Sequence, residues 1–283
     1  MSLLRHIQRC NRWRPEHFVP LWRGDARIGL IRRDNAEALH RFAEVFSVEP
    51  DGVWLIAPGD FDALSAAVDR VVERLVAEGR VAKWRNECFA VAPRWGAPPL
   101  LKLDRGAVSF FGARAYGVHL NGYRRDGGAL KLWIGRRAPD KKVAPDKLDN
   151  LVAGGIGYEH GLQATLVKEA KEEASLPADV VAHAVPVGAV SYRMETEQGL
   201  RDDMLFLYDL EVPAGLVPRN TDGEIVAFEL IDARAVVERV RATDDVKFNV
   251  NLVIIDFALR HGLVTPDDPE YLELVTRLRR PFD

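Results

Sequence analysis

The sequence predicts a mixed α/β (α+β) protein in two parts: a small α/β unit over residues 1–112 and a larger mixed α/β sandwich over residues 113–283. Three observations carry this. Strand-like alternation stands on both sides of one central helix, which favours a sandwich over a doubly wound sheet. The pattern of local signals changes near Arg114. The length of 283 residues, at roughly 150 residues per domain, points to about two domains.

Composition narrows the function classes. A hydrophobic fraction of 47% with 29% charged residues is that of a globular protein and excludes whole-chain disorder. With 39 Lys+Arg against 42 Asp+Glu, the net charge is −3, so general nucleic-acid coating is not expected. No apolar run reaches the roughly 18 residues of a membrane span. Cys10 and Cys88 cannot build a disulfide framework or a four-thiolate metal site, and free thiols in a reducing cytoplasm are expected. The seven histidines show no zinc-binding spacing. Residues 1–20 carry Arg5, Arg9, Arg12 and Arg14 but lack the apolar stretch of a secretory signal. They read as a first helix burying Leu4, Ile7 and Trp13 rather than as a transit peptide.

The elements follow in order. Residues 21–33 alternate as a strand or hairpin. Asp34 is expected to cap a helix reaching Phe46, on the spacing of Ala38, Phe42, Val45 and Phe46. A strand at 53–57 ends at Pro58-Gly59. A helix starts at Asp60 or Asp62, buries Leu64, Val68, Val71, Val72, Leu75 and Val76, and stops at Gly79. A strand at 88–91 precedes a Pro/Gly-rich loop at 93–99. Strands at 115–123 and 130–135 flank the Asp126-Gly127-Gly128 turn. Arg136, Arg137, Lys141, Lys142 and Lys147 then make a basic loop, either merely solvated or a collar for phosphates. A short strand at 151–155 ends in Gly154 and Gly155. A helix at 162–174, strands at 185–192, 204–210 and 225–230, and helices at 233–241 and 252–260 complete the chain. Trp84 and Trp95 are expected to pack between the two parts, and His119 to be an ordinary strand residue.

The helix at 162–174 holds the chemistry. Glu169, Glu172 and Glu173 lie at i, i+3 and i+4, so their carboxylates share one face. Their mutual repulsion would be offset by a divalent cation, and hard oxygen ligands suit Mg²⁺ or Mn²⁺ rather than Zn²⁺. Read alone, the same face could be an acidic solvated one neutralised by Lys168 and Lys171. The glycines before the helix favour the metal, because they let backbone approach a ligand closely.

Residues 154–176 resemble the box of the Nudix hydrolases. Gly154 takes the first glycine, Lys168-Glu169-Ala170 the Arg-Glu-apolar triplet, Glu172-Glu173 the acidic pair and Leu176 the final apolar position. His160 stands in place of the first glutamate, with Glu159 beside it. Lys168 replaces the bracing arginine, and Ser175 replaces the last glycine. Segments at 114–122, 133–137, 148–155, 208–210, 222–224 and 255–262 resemble one subfamily, which includes the N-terminal region of fungal thiamine pyrophosphokinases.

The resemblance implies an α/β/α sandwich over residues 113–283 and metal-dependent hydrolysis of a diphosphate bond in a nucleoside- or thiamine-like diphosphate. Glu169, Glu172 and Glu173 would hold the metal, with Glu172, Glu173 and Glu224 in catalysis and Glu224 as base. Gly154, Gly155 and Arg137 would meet phosphates, and Trp133, Tyr192 or Phe248 would either stack a flat ring or, as is commoner for such residues, pack in the core. Lys168, His160 and Glu159 would support the box. The expected partner is a small-molecule diphosphate, with no nucleic acid or membrane and a homodimer left open. Two alternatives compete. One is a weakened module that binds a diphosphate without turning it over. The other is isopentenyl-diphosphate isomerase chemistry, disfavoured because no cysteine lies in residues 113–283. Residues 1–112 lack a phosphate loop and a metal-ligand pair, so their expected role is to shape the substrate pocket.

Overall fold

The computed structural model describes residues 1–141 and 143–279; Lys142 of the basic loop lies outside them. The chain opens with α1 (Leu4–Cys10), followed by β1 (Phe18–Arg23) and β2 (Ala26–Arg32). Next come α2 (Arg33–Glu37), β3 (Phe46–Glu49), β4 (Gly52–Leu55) and α3 (Phe61–Ala77). Strands β1 and β2 pair as a hairpin, β1 runs parallel to β4, and β3 closes a four-stranded sheet of order β2-β1-β4-β3. Helix α3 starts where the Asp60 carboxylate accepts the Ala63 N–H. It buries Leu64, Val68, Val71, Val72 and Leu75, and ends at Gly79, whose φ is +72°. The helix expected from Asp34 to Phe46 is a correction. Helix α2 stops at Glu37, one 3-10 turn follows, and Phe46 opens β3. The apolar spacing there belongs to a tight connection that turns Leu39, Val45 and Phe46 into the core.

Strands β5 (Cys88–Val91) and β6 (Leu101–Asp104) pair with each other, and α4 (Val108–Phe111) leads to the second part. That part contains β7 (Arg114–Asp126), β8 (Ala129–Arg137), β9 (Leu148–Asp149), β10 (Val152–Gly155), α5 (Leu162–Ala174) and α6 (Ala178–Val181). It continues with β11 (Val185–Thr196), β12 (Gly199–Glu211), β13 (Ile225–Asp232), α7 (Ala233–Ala242), α8 (Val250–Arg260) and α9 (Tyr271–Arg277). The main path of the sheet is β11-β12-β7-β8-β13, with β10 on β7 and β9 on β8. The β7–β12 pairing is parallel and the others are antiparallel, so the sheet is mixed.

Period-two alternation divides this sheet between two cores. In β12, Leu205 and Leu207 face one core, while Tyr208 and Leu210 face the other. Helices α5 and α6 cover the second face through Leu166, Ala170, Ala174 and Val181. Helices α7, α8 and α9 cover the first, together with α1, whose Leu4, Ile7 and Cys10 are buried there. The result is an α/β/α sandwich. Helix α1 is fastened to that layer: the Leu3 N–H donates to Glu270 at 2.8 Å, the Arg5 guanidinium meets Asp244 at 2.7 Å, and His6 bonds the Val240 carbonyl at 2.7 Å. Trp13 lies beyond the helix and carries the Arg193 guanidinium over its ring at 4.9 Å.

The two sheets are joined closely. The Leu30 N–H donates to the Gly112 carbonyl at 3.1 Å. A Cβ at Gly112 would lie 1.8 Å from the Leu30 oxygen, so only glycine fits. Trp95, on the loop after β5, packs on Tyr116 and Phe206 at centroid distances of 4.6 and 4.7 Å. Among the described residues, no helix is long and apolar enough to cross a membrane.

Candidate active site

Strand β10 pairs with β7, placing Gly154 opposite Val118, and a loop leads from Gly155 into α5. Two glycines here answer to close contacts. A Cβ on Gly154 would come 2.3 Å from Cγ of Glu169, so the glutamate lies flat across the strand end. A Cβ on Gly155 would meet the Phe89 ring at 2.6 Å. The side-chain position of Gly155 is therefore occupied by a ring from β5, while the residue itself still lines a cleft beside Glu169.

The three glutamates have distinct surroundings. Lys168 Nζ lies 3.1 Å from Glu169 Oε1 and 3.0 Å from Glu172 Oε2, so both carboxylates converge on one cation. Glu173 is 8% exposed, and its Oε2 accepts the Ala153 N–H at 2.9 Å. Burial raises the Glu169 carboxyl against the pull of Lys168, and nearby Glu172 and Glu87 add to the rise. Burial also raises Glu173 well above the usual carboxylate range; the Ala153 N–H opposes this, while Asp149 and Glu169 reinforce it.

No three His, Cys, Asp or Glu side chains among the described residues already enclose a metal position. The donor chemistry nevertheless fits a hard divalent cation. The ligands are all oxygen, two carboxylates already share a cationic neighbour, and Glu173 is buried with no ion-pair partner among the described residues. An ion there would take the place of the Lys168 ammonium, which is 45% exposed.

The segment 219–224 caps the far end of α5. Arg219 N–H donates to the Ala174 carbonyl, Asn220 Nδ2 to Glu173 and Thr221 Oγ1 to Glu172, at 3.0, 3.0 and 2.8 Å. Ser175, at φ +54°, donates its hydroxyl to the Arg219 carbonyl at 2.6 Å. Glu224 ends this segment with its carboxylate 3.0 Å from Lys141 Nζ.

A cleft of about 280 Å³ opens beside Glu169 and Lys168. Gly155, Glu159 and His160 line one wall; Glu87, Cys88 and Lys102, all from the first part of the chain, line the other. The walls are tied by the Tyr158 N–H donating to the Cys88 carbonyl at 2.7 Å. Buried Asp104 shapes the second wall by accepting the N–H groups of Arg85, Asn86 and Gly106. Residues Glu87, Cys88 and Lys102 escaped the sequence reading, since a lone charge or thiol on a short strand carries no spacing signal. Burial pushes the Cys88 thiol up, which disfavours a thiolate there.

Four residues expected to meet ligand are placed elsewhere. Arg137 is buried and pairs with Asp149 at 2.8 Å, with Lys247 2.9 Å from the same oxygen. Burial alone would raise the Asp149 carboxyl, but Lys247 and Arg137 hold it below the usual range. Arg137 thus compensates a buried charge instead of joining a phosphate collar. Trp133 is packed in the core beneath α5, and its Nε1 has no partner among the described residues. Tyr192 is buried in the opposite core, where its hydroxyl donates to Asp203 and Phe248 meets it edge-on. Neither Tyr192 nor Phe248 lines the cleft. Alternation along β11 turns Tyr192 to the opposite face of the sheet, and Phe248 lies in the turn before α8.

A mixed-sheet sandwich with an acidic helix beside a glycine-ended strand is a hydrolase scaffold, and the chain belongs to the Nudix hydrolase family. It is 37% identical over 288 residues to the Arabidopsis thaliana protein named Nudix hydrolase 20, chloroplastic, covering 96% of this chain and 76% of that one. It is also 37% identical over 283 residues to Nudix hydrolase 24, chloroplastic, of the same plant, covering 98% of this chain and 78% of that protein. Residues 2–115 match the family described as "Domain of unknown function (DUF4743)". Among solved structures, the NUDIX domain of Shewanella oneidensis NrtR complexed with ADP ribose aligns at TM-score 0.42 and 13% identity, over 57% of this chain and 94% of that one.

Proposed function

We propose that this Nudix hydrolase splits a diphosphate bond in a substrate of the form X-linked diphosphate, where X is nucleoside- or thiamine-like. Glu169, Glu172 and Glu173 would hold Mg²⁺ or Mn²⁺. The observation that carries the reading is the Glu169 side chain laid across Gly154 while Glu172 turns to the same cation. A metal bound there would neutralise the diphosphate and lower the pKa of a bound water.

The chain's own residues do the rest. Glu173 is oriented by the Ala153 N–H, and the 219–224 segment fixes the end of α5 beneath the acidic pair. Lys168 holds Glu169 and Glu172 together at the place a metal would occupy. Glu224 is our candidate acceptor for the proton of the attacking water, whose oxygen bonds to phosphorus as the bridging P–O bond breaks. The subfamily resemblance makes thiamine-like diphosphates the first substrates to try. One observation favours a binding module instead: Lys168 already neutralises two of the three carboxylates.

The test is product release from a panel of thiamine diphosphate, its oxidised forms, ADP-ribose and NADH with Mg²⁺. Glu173→Gln should cut turnover by on the order of 10²-fold or more, because a metal ligand is lost while shape is kept. Turnover near that of the wild type would remove α5 from the mechanism. A panel with binding but no turnover would favour the module.

A further inference from the structure

We infer that Lys102, from the first part of the chain, binds the phosphate groups of the substrate from the wall opposite the acidic helix. The inference deepens the proposed function and rests on it for the identity of the substrate's charged end.

Position is the first argument. Lys102 sits on β6, paired opposite Ala90 of β5, with its backbone N–H held by Ser65 Oγ at 3.0 Å. The strand therefore aims a half-buried side chain at the cleft that Glu169 and Lys168 line from across the gap. The wall is fixed. Tyr158 is stacked on Phe61 at 5.1 Å and bonded to Cys88, and the Phe89 ring fills the notch at Gly155.

Charge is the second. The Lys102 ammonium lies 5.8 Å from the centroid of the Tyr158 ring, at the outer edge of a cation–π contact. Among the described residues no carboxylate lies within 4.0 Å of it; Asp69 feels its charge from further off, and Glu87 and Glu159 share the cleft without pairing with it. Three N–H donors are thus available on a positive group inside a cleft. Lys168 is different, because its charge is consumed by Glu169 and Glu172.

Size is the third. At about 280 Å³ the cleft falls at the bottom of the roughly 300–1,000 Å³ range of small-molecule sites. That suits a compact polar group such as a diphosphate, with the rest of a larger substrate extending from the open side. A diphosphate bridging the two walls would meet a metal on one side and an ammonium on the other. That division leaves the acidic helix to the metal and gives the first part of the chain a direct share in substrate binding.

The test is titration calorimetry of the full chain with methylenediphosphonate, a diphosphate that cannot be hydrolysed, with and without Mn²⁺. Lys102→Met should weaken binding at least tenfold in both arms, and Lys102→Arg should stay within about threefold of wild type. Mn²⁺ binding followed by electron paramagnetic resonance should be unchanged in Lys102→Met and weakened in Glu169→Gln. With a turned-over substrate, Lys102→Met should raise KM more than it lowers kcat. Affinity of Lys102→Met within twofold of wild type, or no measurable affinity of the wild type in either arm, overturns the inference. Lys102-dependent binding that Mn²⁺ does not strengthen in the wild type overturns the acidic-helix reading alone.

Discussion

His160 is exposed on the lip of the cleft, its N–H bonded to the Gly157 carbonyl at 3.0 Å, where the family box places a glutamate. A residue so placed supports the loop more than the chemistry, so His160→Glu should leave activity within about tenfold. A large gain measured in the same assay would mark the protein as a weakened hydrolase. His119 illustrates the opposite environment. It is wholly enclosed, donates from Nδ1 to Asn150 Oδ1 at 2.8 Å, and is pushed down to about 4, by burial first and then by Lys247. The unfolded chain would take up that proton near pH 6.5. His119 therefore leaves stability intact above about pH 6.5 and erodes it as the pH falls toward 4, by at most one proton or about 1.4 kcal/mol per pH unit. Replacement by Gln should flatten that part of a denaturant-midpoint profile taken across this range; an unchanged slope would assign the acid sensitivity to other groups. The sequence left His119 open between core and surface, because nothing local discloses Asn150 across the sheet.

At the scale of elements, the cap of α5 is the most exacting. Ser175 occupies a left-handed position that favours glycine, yet its hydroxyl makes a bond glycine cannot. Ser175→Ala keeps the backbone strain and loses the bond, whereas Ser175→Gly loses the bond and relieves the strain. The glycine variant should be more stable than the alanine variant by about 1 kcal/mol in urea unfolding, and equal stabilities would contradict the strain. The bounds of α5 were legible because glycines, an apolar stripe and a C-terminal break agree over one segment. The same reasoning erred between Asp34 and Phe46, where four apolar residues at helical intervals serve a turn and a strand start. Local spacing records what is buried, but only long-range pairing records against what. The acidic triad was legible for the same reason as α5; the wall that faces it was not, because β5 and β6 reach the box loop only through the fold.

The whole molecule is bound together at both ends of the chain. Ile7 is 2% exposed and packs with α7, α8 and α9 across most of the sequence, so Ile7→Ala should cost about 2–5 kcal/mol. Calorimetry should show the loss as a lower Tm of one shared transition. Two transitions, with only one shifted, would mean that the parts unfold separately. A chain starting near Ala113 would lack Leu3, Leu4, Ile7 and Cys10 from its core, so the pocket role of the first part is better tested by point substitution than by truncation.

The placement of α1 also sets the order in which the protein can be made. Its partners around Val236 and Leu274 are synthesised long after it. At about 5–20 residues per second, tens of seconds separate the two on the ribosome. During that interval the first helix has no surface to cover, and its apolar stripe stands in water. The last layer of the sandwich can close only when nearly all the described chain has been released. The sandwich therefore closes late, once α9 has emerged, and α1 is the segment a holding chaperone would cover until then.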